Sequence, residues 1–357
     1  MKKFLPILLS SLLLLSGCGS SSTAPVEDPV EKYGSKTLKL FTWGEYLGEN
    51  VIQDFEKTYG VDVIVEYFDS NEMMYTKLQA GDAYDVIVPS DYMIQRLLGE
   101  DMLQSIDKSL IPNMDLLTDG VKNLAYDPDN DYSVPYFWGT VGLVYNKENV
   151  PAELIEEEGF DILKNTDYAG DIYMYDSERD SFMVALKALG YSMNTQNDAE
   201  IEEAYQWLLE LNNTMDPAYV TDEVIDNMMN GTKDIAVVYS GDATVILDEN
   251  PDMAFTMPKE GTNVWCDAMC IPANAENPLL AHEFINYMLS YDAAYDNTVT
   301  VGYASTNDEV LRTVAENEYE GNAAYLPREN YEKDEVFEDN EVMRQKLSQL
   351  WLKVKAQ

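Results

Sequence analysis

Aromatic side chains stand beside carboxylates at five places where a predicted strand ends or presents one face. In open α/β sheets ligands bind beyond the carboxyl ends of the strands, so we expect these side chains to gather around one crevice. Taken singly, a ring at a strand end more often belongs to the core, and a carboxylate there more often caps the next helix. The five segments are Trp43-Gly44-Glu45-Tyr46, Pro89-Ser90-Asp91-Tyr92, Tyr175-Asp176-Ser177 with Asp180 one turn on, Tyr239-Ser240-Gly241-Asp242, and Trp265-Cys266-Asp267.

This pairing of rings and acids suits a small organic cation. A flexible diamine or triamine carries ammonium groups joined by methylenes. Carboxylates hold the ammonium groups by charge-assisted hydrogen bonds, while aromatic faces pack against the methylenes and add cation–π attraction. Each desolvated cation–π contact contributes about 2 kcal/mol at best, so several rings and two or three acids predict micromolar or tighter binding. Asp91 and Asp176 fit the role of helix caps equally well.

The elements that position these residues alternate between strand and helix. The front of the chain has predicted strands at 37–43, 61–68 and 84–88 and predicted helices at 49–59, 69–80 and 91–98. Asp69 and Glu72 have the spacing of a capping box that opens the second of these helices. The alternation predicts a parallel sheet with right-handed crossovers.

A second alternating block follows Trp138 and Gly139. It has predicted strands at 172–175, 234–239 and 264–272, and predicted helices at 181–189, 200–211, 280–290 and 340–355. A chain of this length is expected to form two domains rather than one. The sequence therefore predicts an α/β protein with two lobes, each a mainly parallel sheet flanked by helices.

Composition excludes several classes of function. With 65 acidic and 23 basic residues the formal net charge is −42, so the chain is not expected to bind nucleic acid or an anionic membrane surface through charge. The single histidine, His282, is expected on a helix surface, which disfavours a zinc site or a histidine-based triad. Cys266 and Cys270 stand about 13 Å apart on one strand face, too far for a disulfide, and are expected to be buried thiols. We expect no cofactor and no metal.

The N-terminus predicts export and anchoring. Lys2 and Lys3 precede an uncharged apolar run from Phe4 to Leu15 that is too short to span a bilayer, which is typical of a signal peptide over residues 1–17. Cys18 follows a small-residue cleavage site, so we expect it to be lipidated and to anchor the protein to the cell membrane. An ordinary signal peptide with an incidental cysteine is the alternative. Residues 18–36 are polar and predict a flexible tether.

At its ring and acid residues the chain resembles the spermidine/putrescine-binding proteins of ABC importers, and the likeness covers nearly all of the chain beyond the tether. The resemblance implies a two-lobed periplasmic-binding-protein fold, type II-like, with the ligand between lobes that close like a hinged clamp. It also implies a polyamine ligand, partnership with the permease and ATPase of an importer, and no catalytic activity. The stretches that carry it are LFTWGEYL at 40–47, FDSNEMMYTKL at 68–78, YDVIVPSDYM at 84–93, DPDNDYSVPYFWGTVGLVYN at 127–146, VALKALGYS at 184–192 and VGYAST at 301–306.

The resemblance assigns roles to individual residues. Asp267 matches the carboxylate that holds an amino end, Asp180 falls where a glutamate commonly contacts an amine, and Tyr239 falls where the family often has tryptophan. The remaining expected ligand-binding residues are Trp43, Glu45, Tyr46, Ser90, Tyr92, Asp242, Trp265 and Tyr303, with Asp91, Ser177 and Glu338 as further members.

Departures from the family leave the ligand's length open. Ser177 stands where some spermidine binders have aspartate, and Asp242 supplies an acid where some relatives have serine. The number of acids is roughly kept while their placement changes, so putrescine and spermidine both fit. A receptor of the same fold for another organic cation or a metal chelate is the first alternative. An extracellular hydrolase that uses two of the clustered acids is the second.

The resemblance also implies how the chain divides between lobes. We expect a first lobe of residues 37–140 with 266–312 and a second lobe of residues 141–265 with 313–357. The chain would then cross between them near 139–141, 265–267 and 307–311. We expect a monomer.

Overall fold

A computed structural model describes residues 28–328 and 331–356 of the chain. Cys18 and the predicted leader lie outside the described residues. The strands are β1 Thr37–Trp43, β2 Asp62–Phe68, β3 Val86–Ile87, β4 Ser133–Asn146, β5 Ile172–Tyr175, β6 Ala218–Val220, β7 Ile235–Tyr239, β8 Met253–Thr256, β9 Val264–Cys270 and β10 Ala304–Ser305. The α-helices are α1 Pro29–Tyr33, α2 Val51–Tyr59, α3 Asn71–Gln79, α4 Asp91–Gly99, α5 Ala152–Glu158, α6 Glu178–Ala188, α7 Asp198–Met215, α8 Glu223–Met229, α9 Ser240–Glu249, α10 Pro278–Met288, α11 Tyr291–Val301, α12 Asp308–Asn317 and α13 Glu341–Lys355.

The sheet has two halves that share the long strand β4. In the first half β1 pairs in parallel with β2 and β3, and β9 joins β3 to the front of β4 with antiparallel pairing. In the second half β5 pairs in parallel with β6 and β7, while β7 and β8 pair antiparallel with the rear of β4. Each half thus contains the expected parallel strands together with antiparallel ones that the sequence alternation did not predict.

Strand β4 changes partner at its middle. Thr140 is in register with Val264 of β9, whereas Val141 is in register with Tyr239 of β7. Every residue of β4 except the last is buried, so its side chains do not alternate between apolar and polar. The strand therefore gives no period-two signal in the sequence, although it occupies the centre of the fold.

The prediction that Asp69 and Glu72 form a capping box at the start of α3 was wrong. Ser70, not Asp69, is the N-cap of α3, where its hydroxyl accepts the backbone N–H of Met73. The Glu72 side chain does not return to the helix end and instead accepts a hydrogen bond from the Tyr92 hydroxyl at 3.2 Å. The start of α3 is therefore tied to α4, which follows the next strand.

The histidine is also placed differently from the prediction. His282 lies on α10 as expected but is buried, with Nε2 accepting the backbone N–H of Asp107 at 2.9 Å and Nδ1 lying 2.6 Å from the Pro278 carbonyl oxygen. Both ring nitrogens have partners, so the imidazole fastens the segment around residue 107 to the helix. Cys266 and Cys270 are buried and free, as predicted. Within the described ranges, no helix has the length and apolar character needed to cross a membrane.

Candidate functional site

Asp267 is the first of three buried carboxylates in the site. It lies on β9, is 6% exposed, and forms an isolated antiparallel bridge with Ser90 at the start of α4. The Tyr46 hydroxyl donates to its Oδ2 at 2.5 Å. Burial raises the pKa of Asp267 to about 6, and the hydrogen bonds from Tyr46 and Ser90 offset part of the rise. The carboxylate is therefore costly to keep ionised without a cation beside it.

Asp242 is the second, on the first turn of α9 directly after β7. The hydroxyls of Tyr175 and Tyr303 both donate to it, the latter at 3.1 Å to Oδ1. The Tyr303 ring can come this close because residue 241 is glycine, where a Cβ would lie 1.5 Å from the ring. Burial raises the pKa of Asp242 to about 6.

Asp180 is the third, in the equivalent position on the first turn of α6, where Ser177 is the N-cap. Its Oδ2 accepts the hydroxyls of Ser177 and Tyr239, each at 2.7 Å. Its Oδ1 is buried and accepts no hydrogen bond from a described residue. Burial raises the pKa of Asp180. An unpartnered buried carboxylate oxygen is a position where a ligand N–H would be stabilised.

Aromatic rings connect the three acids into one cluster. Trp265 lies 5.0 Å from Tyr303 and 6.1 Å from Tyr239, measured between ring centroids. Tyr303 is 5.8 Å from Tyr46 on one side, and Tyr239 is 4.6 Å from Tyr175 on the other. A chain of rings therefore runs from the Asp267 carboxylate to those of Asp242 and Asp180, and its members come from both halves of the sheet.

The electrostatics of the cluster favour a cation. In the part of the chain that the structure describes, the ion pairs of Lys and Arg do not include Asp180, Asp242 or Asp267. All three carboxylates are largely excluded from water and accept tyrosine hydroxyls, and the nearby positive charge of Arg179 only partly offsets the effect of burial on Asp180. The site is therefore unfavourable when all three acids are ionised and no ligand cation is present. The arrangement can bind ammonium groups, and its rings can cover the methylenes between them.

Other predicted residues flank this cluster. The Trp43 indole donates to the Val88 carbonyl at 3.0 Å, and its ring lies 6.5 Å from that of Tyr46. Asp91 is buried and accepts the backbone N–H groups of Tyr92 and Cys266, so it fastens α4 to β9 from within. Burial raises the pKa of Asp91 to about 7.

Two predicted acids lie away from the three buried carboxylates. Glu45 is exposed and has a positive φ of 51°. It faces Asp222 closely enough to raise the pKa of that residue, after the larger effects of partial burial and of Glu223. Glu338 is exposed, and its backbone N–H donates to Asn194. The structure does not bring the Glu338 side chain to the cluster.

Sequence reasoning missed three contributors to the site. Tyr175 stands in one of the five ring–acid segments but is not among the expected ligand-binding residues, and its hydroxyl donates a hydrogen bond to Asp242. Asp222 lies close enough to Asp242 to raise its pKa, as a smaller effect than burial. Arg179 places its guanidinium carbon 3.5 Å from the centroid of the Tyr92 ring. Tyr175 could have been found from its strand-terminal position, whereas nothing in the local pattern distinguishes Arg179 from a solvated residue on a first helical turn.

The chain is similar to known proteins along most of its length. Residues 50–325 match the family described as bacterial extracellular solute-binding protein. The chain is 36% identical over 273 residues to the spermidine/putrescine-binding periplasmic protein of Salmonella typhimurium, covering 76% of this chain and 78% of that protein. It is 30% identical over 330 residues to the spermidine/putrescine-binding periplasmic protein 1 of Haemophilus influenzae, covering 91% of each.

Solved structures give the same result. A putative spermidine/putrescine ABC transporter protein from Listeria monocytogenes is 36% identical with a TM-score of 0.81, over 90% of this chain and 99% of that one. The spermidine/putrescine ABC transporter substrate-binding protein of Streptococcus pneumoniae is 34% identical with a TM-score of 0.78, over the same shares. The fold is thus the two-lobed α/β fold of periplasmic-binding proteins. The chain belongs to the bacterial extracellular solute-binding proteins and is similar, within them, to the members that bind spermidine and putrescine.

Proposed function

We propose that this protein is an extracytoplasmic receptor that captures a polyamine, spermidine or putrescine or both, and delivers it to the permease of an ABC importer. The observation that carries the proposal is the set of three buried carboxylates, Asp180, Asp242 and Asp267, surrounded by rings and without an ion-pair partner among the described residues. The names of the similar proteins support the same class of ligand.

Binding follows from the geometry of the three acids. An ammonium group beside Asp267 compensates one buried charge, and a second group beside Asp242 or Asp180 compensates another. The rings of Trp265, Tyr303 and Tyr239 lie between these positions and cover the intervening methylenes. Because each acid already accepts tyrosine hydroxyls, the site is preorganised, and little side-chain ordering accompanies binding.

The division into lobes is part of the proposal. We assign residues 37–140 with 266–312 to the first lobe and residues 141–265 with 313–357 to the second, with crossings near 139–141, 265–267 and 307–311. The change of β4 partner between Thr140 and Val141 supports the first crossing. The hydrogen bond between Tyr303 and Asp242 then lies between the lobes, so ligand held there favours the closed arrangement.

The proposal also covers where the protein is located and whether it is an enzyme. We propose that Cys18 carries lipid and anchors a monomeric protein to the outer face of the cell membrane, where it meets the permease and ATPase subunits of its importer. We also propose that it is not an enzyme, because the similar proteins are named as binding and transport proteins and the buried acids are occupied by tyrosine hydroxyls. A receptor for a different organic cation is the alternative that the same site would fit.

Calorimetry tests the proposal directly. Putrescine, cadaverine, spermidine and spermine are titrated into the purified protein, and 1,4-butanediol serves as the uncharged analogue of putrescine. We expect micromolar or tighter binding of at least one polyamine, no binding of the diol, and recovery of the ligand unchanged by mass analysis. Absence of binding by all four amines would reject the proposal, and a chemically altered ligand would favour the hydrolase.

A further inference from the structure

Arg179 is a positive charge held by aromatic rings at the edge of the site. Its guanidinium carbon lies 3.5 Å from the centroid of the Tyr92 ring and 5.0 Å from that of Phe337. The residue is half-buried. Within residues 28–328 and 331–356, the arginine ion pairs involve Arg96, Arg312, Arg328 and Arg344 but not Arg179.

The contact joins the two halves of the sheet. Tyr92 is the second residue of α4, which follows β3 in the first half, and Arg179 is the second residue of α6, which follows β5 in the second half. Close by, the backbone N–H of Asp339 donates at 2.7 Å to the side chain of Gln95, also on α4. Neither contact uses β4 or β9, the strands through which the halves are already connected.

Tyr92 and Phe337 are each held in place by contacts that do not involve Arg179. The Tyr92 hydroxyl donates to Glu72, and the Tyr92 backbone N–H donates to Asp91 at 2.6 Å, so the ring is oriented by its own half. Phe337 is buried, and the residues on either side of it are bound to Asn194, which accepts the Glu338 N–H and donates to the Val336 carbonyl. The Arg179 guanidinium therefore lies beside two rings, those of Tyr92 and Phe337, that other residues hold in place.

We propose that Tyr92, Arg179 and Phe337 form a clasp that holds the lobes closed, and that Arg179 thereby sets how long a ligand is retained. A guanidinium on an aromatic face is attracted more strongly as water is excluded, so the contact favours the closed arrangement. The clasp gives Tyr92, which the sequence placed among the ligand's rings, a partner within the chain itself. The consequence for ligand retention rests on the proposed function, whereas the consequence for closure rests only on the proposed assignment of residues to lobes and not on the ligand.

The chain contains a matched control for this contact. Arg96 places its guanidinium carbon 3.5 Å from the centroid of the Tyr75 ring, the same separation as in the clasp. Arg96 is on α4 and Tyr75 is on α3, so both belong to the first half. Arg96→Met removes a cation–π contact of the same separation together with the Arg96–Glu100 ion pair, and both of these contacts lie within the first half.

The test compares Arg179→Met, Tyr92→Leu, the double variant and Arg96→Met. Stopped-flow fluorescence measures dissociation of putrescine and spermidine, and small-angle scattering measures the radius of gyration of the ligand-free proteins. We expect each clasp variant to dissociate ligand about fivefold faster, the double variant to add little to either, and Arg96→Met to match the wild type. The ligand-free clasp variants should also have a larger radius of gyration.

Two results would overturn the clasp. In the first, Arg179→Met leaves both dissociation rates and radius unchanged, which makes Arg179 a surface residue. In the second, Arg179→Met tightens polyamine binding, which makes it a repulsive charge rather than a clasp. If the wild type binds neither polyamine, the proposed function fails, and the ligand-free radii of Arg179→Met and Arg96→Met still decide the clasp.

Discussion

Polyamine affinity is expected to fall steeply as the pH is lowered through about 6. Burial raises the pKa values of Asp242 and Asp267 to about 6. If the second ammonium group of putrescine lies beside Asp242, binding requires both acids as carboxylates. Protonation of a group with a pKa of about 6 weakens binding about tenfold at about pH 5 and negligibly at about pH 7.5. The two groups together therefore predict a dissociation constant about 100-fold higher at about pH 5 than at about pH 7.5.

Ionisation of these two acids strengthens polyamine binding but destabilises the ligand-free fold. The folded-state pKa of each acid lies above the usual 3.8, so ionising it destabilises the ligand-free fold, and this loss develops as pH rises through the window from about 4 to about 6. Bound ammonium groups compensate the same charges. The rise in melting temperature produced by putrescine should therefore be larger at about pH 7.5 than at about pH 5.

Calorimetry with putrescine across this range measures the effect, because both amines of putrescine stay charged throughout. Asp242→Asn serves as an internal control, since it removes one of the titrating acids and should reduce the change by about tenfold. Equal dissociation constants at the two ends of the range would show that these carboxylates do not face the ligand.

Three further outcomes follow from the site and its surroundings. Trp265→Ala should weaken polyamine binding by about 2 kcal/mol through loss of the ring between Tyr239 and Tyr303, measured by calorimetry; an unchanged dissociation constant would remove Trp265 from the site. Saturating polyamine should reduce the radius of gyration in small-angle scattering because the lobes close, and an identical radius would contradict the clamp. Cys18→Ala should abolish labelling by a fatty-acid analogue and release the protein from the membrane or leave it as precursor, and equal membrane retention without label in either form would exclude the anchor.

Local sequence signals predicted the parallel parts of the fold and the strand-end acids well. Strand β1 has the predicted bounds, and Trp265 and Asp267 lie on β9 as expected. These succeeded because turn residues and apolar runs mark strand ends, and because strand ends meet where ligands bind. The strand β4 was not predicted, since full burial removes the alternation that reveals a strand.

The misses share one physical cause, which is tertiary contact. In the sequence His282 has the pattern of a helix-surface residue, but in the fold the backbone N–H of Asp107 donates to its ring. Arg179 looks like a solvated first-turn residue until α4 brings Tyr92 against it. The environments of His282 and Arg179 both depend on residues that are distant in sequence, and local periodicity does not reveal such contacts.

We propose that Asp267 is a buried, ionised carboxylate that pairs with a cationic group of the ligand. A pKa of about 6 against the usual 3.8 means that the charge destabilises the ligand-free protein at neutral pH by about 3 kcal/mol. Asp267→Asn removes both this cost and the partner of the ammonium. Glu156→Gln, at an exposed acid, serves as the control and should change affinity by less than about 0.5 kcal/mol.

The decisive measurement is the melting temperature and the polyamine dissociation constant of Asp267→Asn on the same sample at neutral pH. We predict at least about thirtyfold weaker binding, about 2 kcal/mol, together with a higher melting temperature of the ligand-free protein. A lower melting temperature with near-wild-type affinity would contradict the account, because Asp267 would then serve the fold and not the ligand.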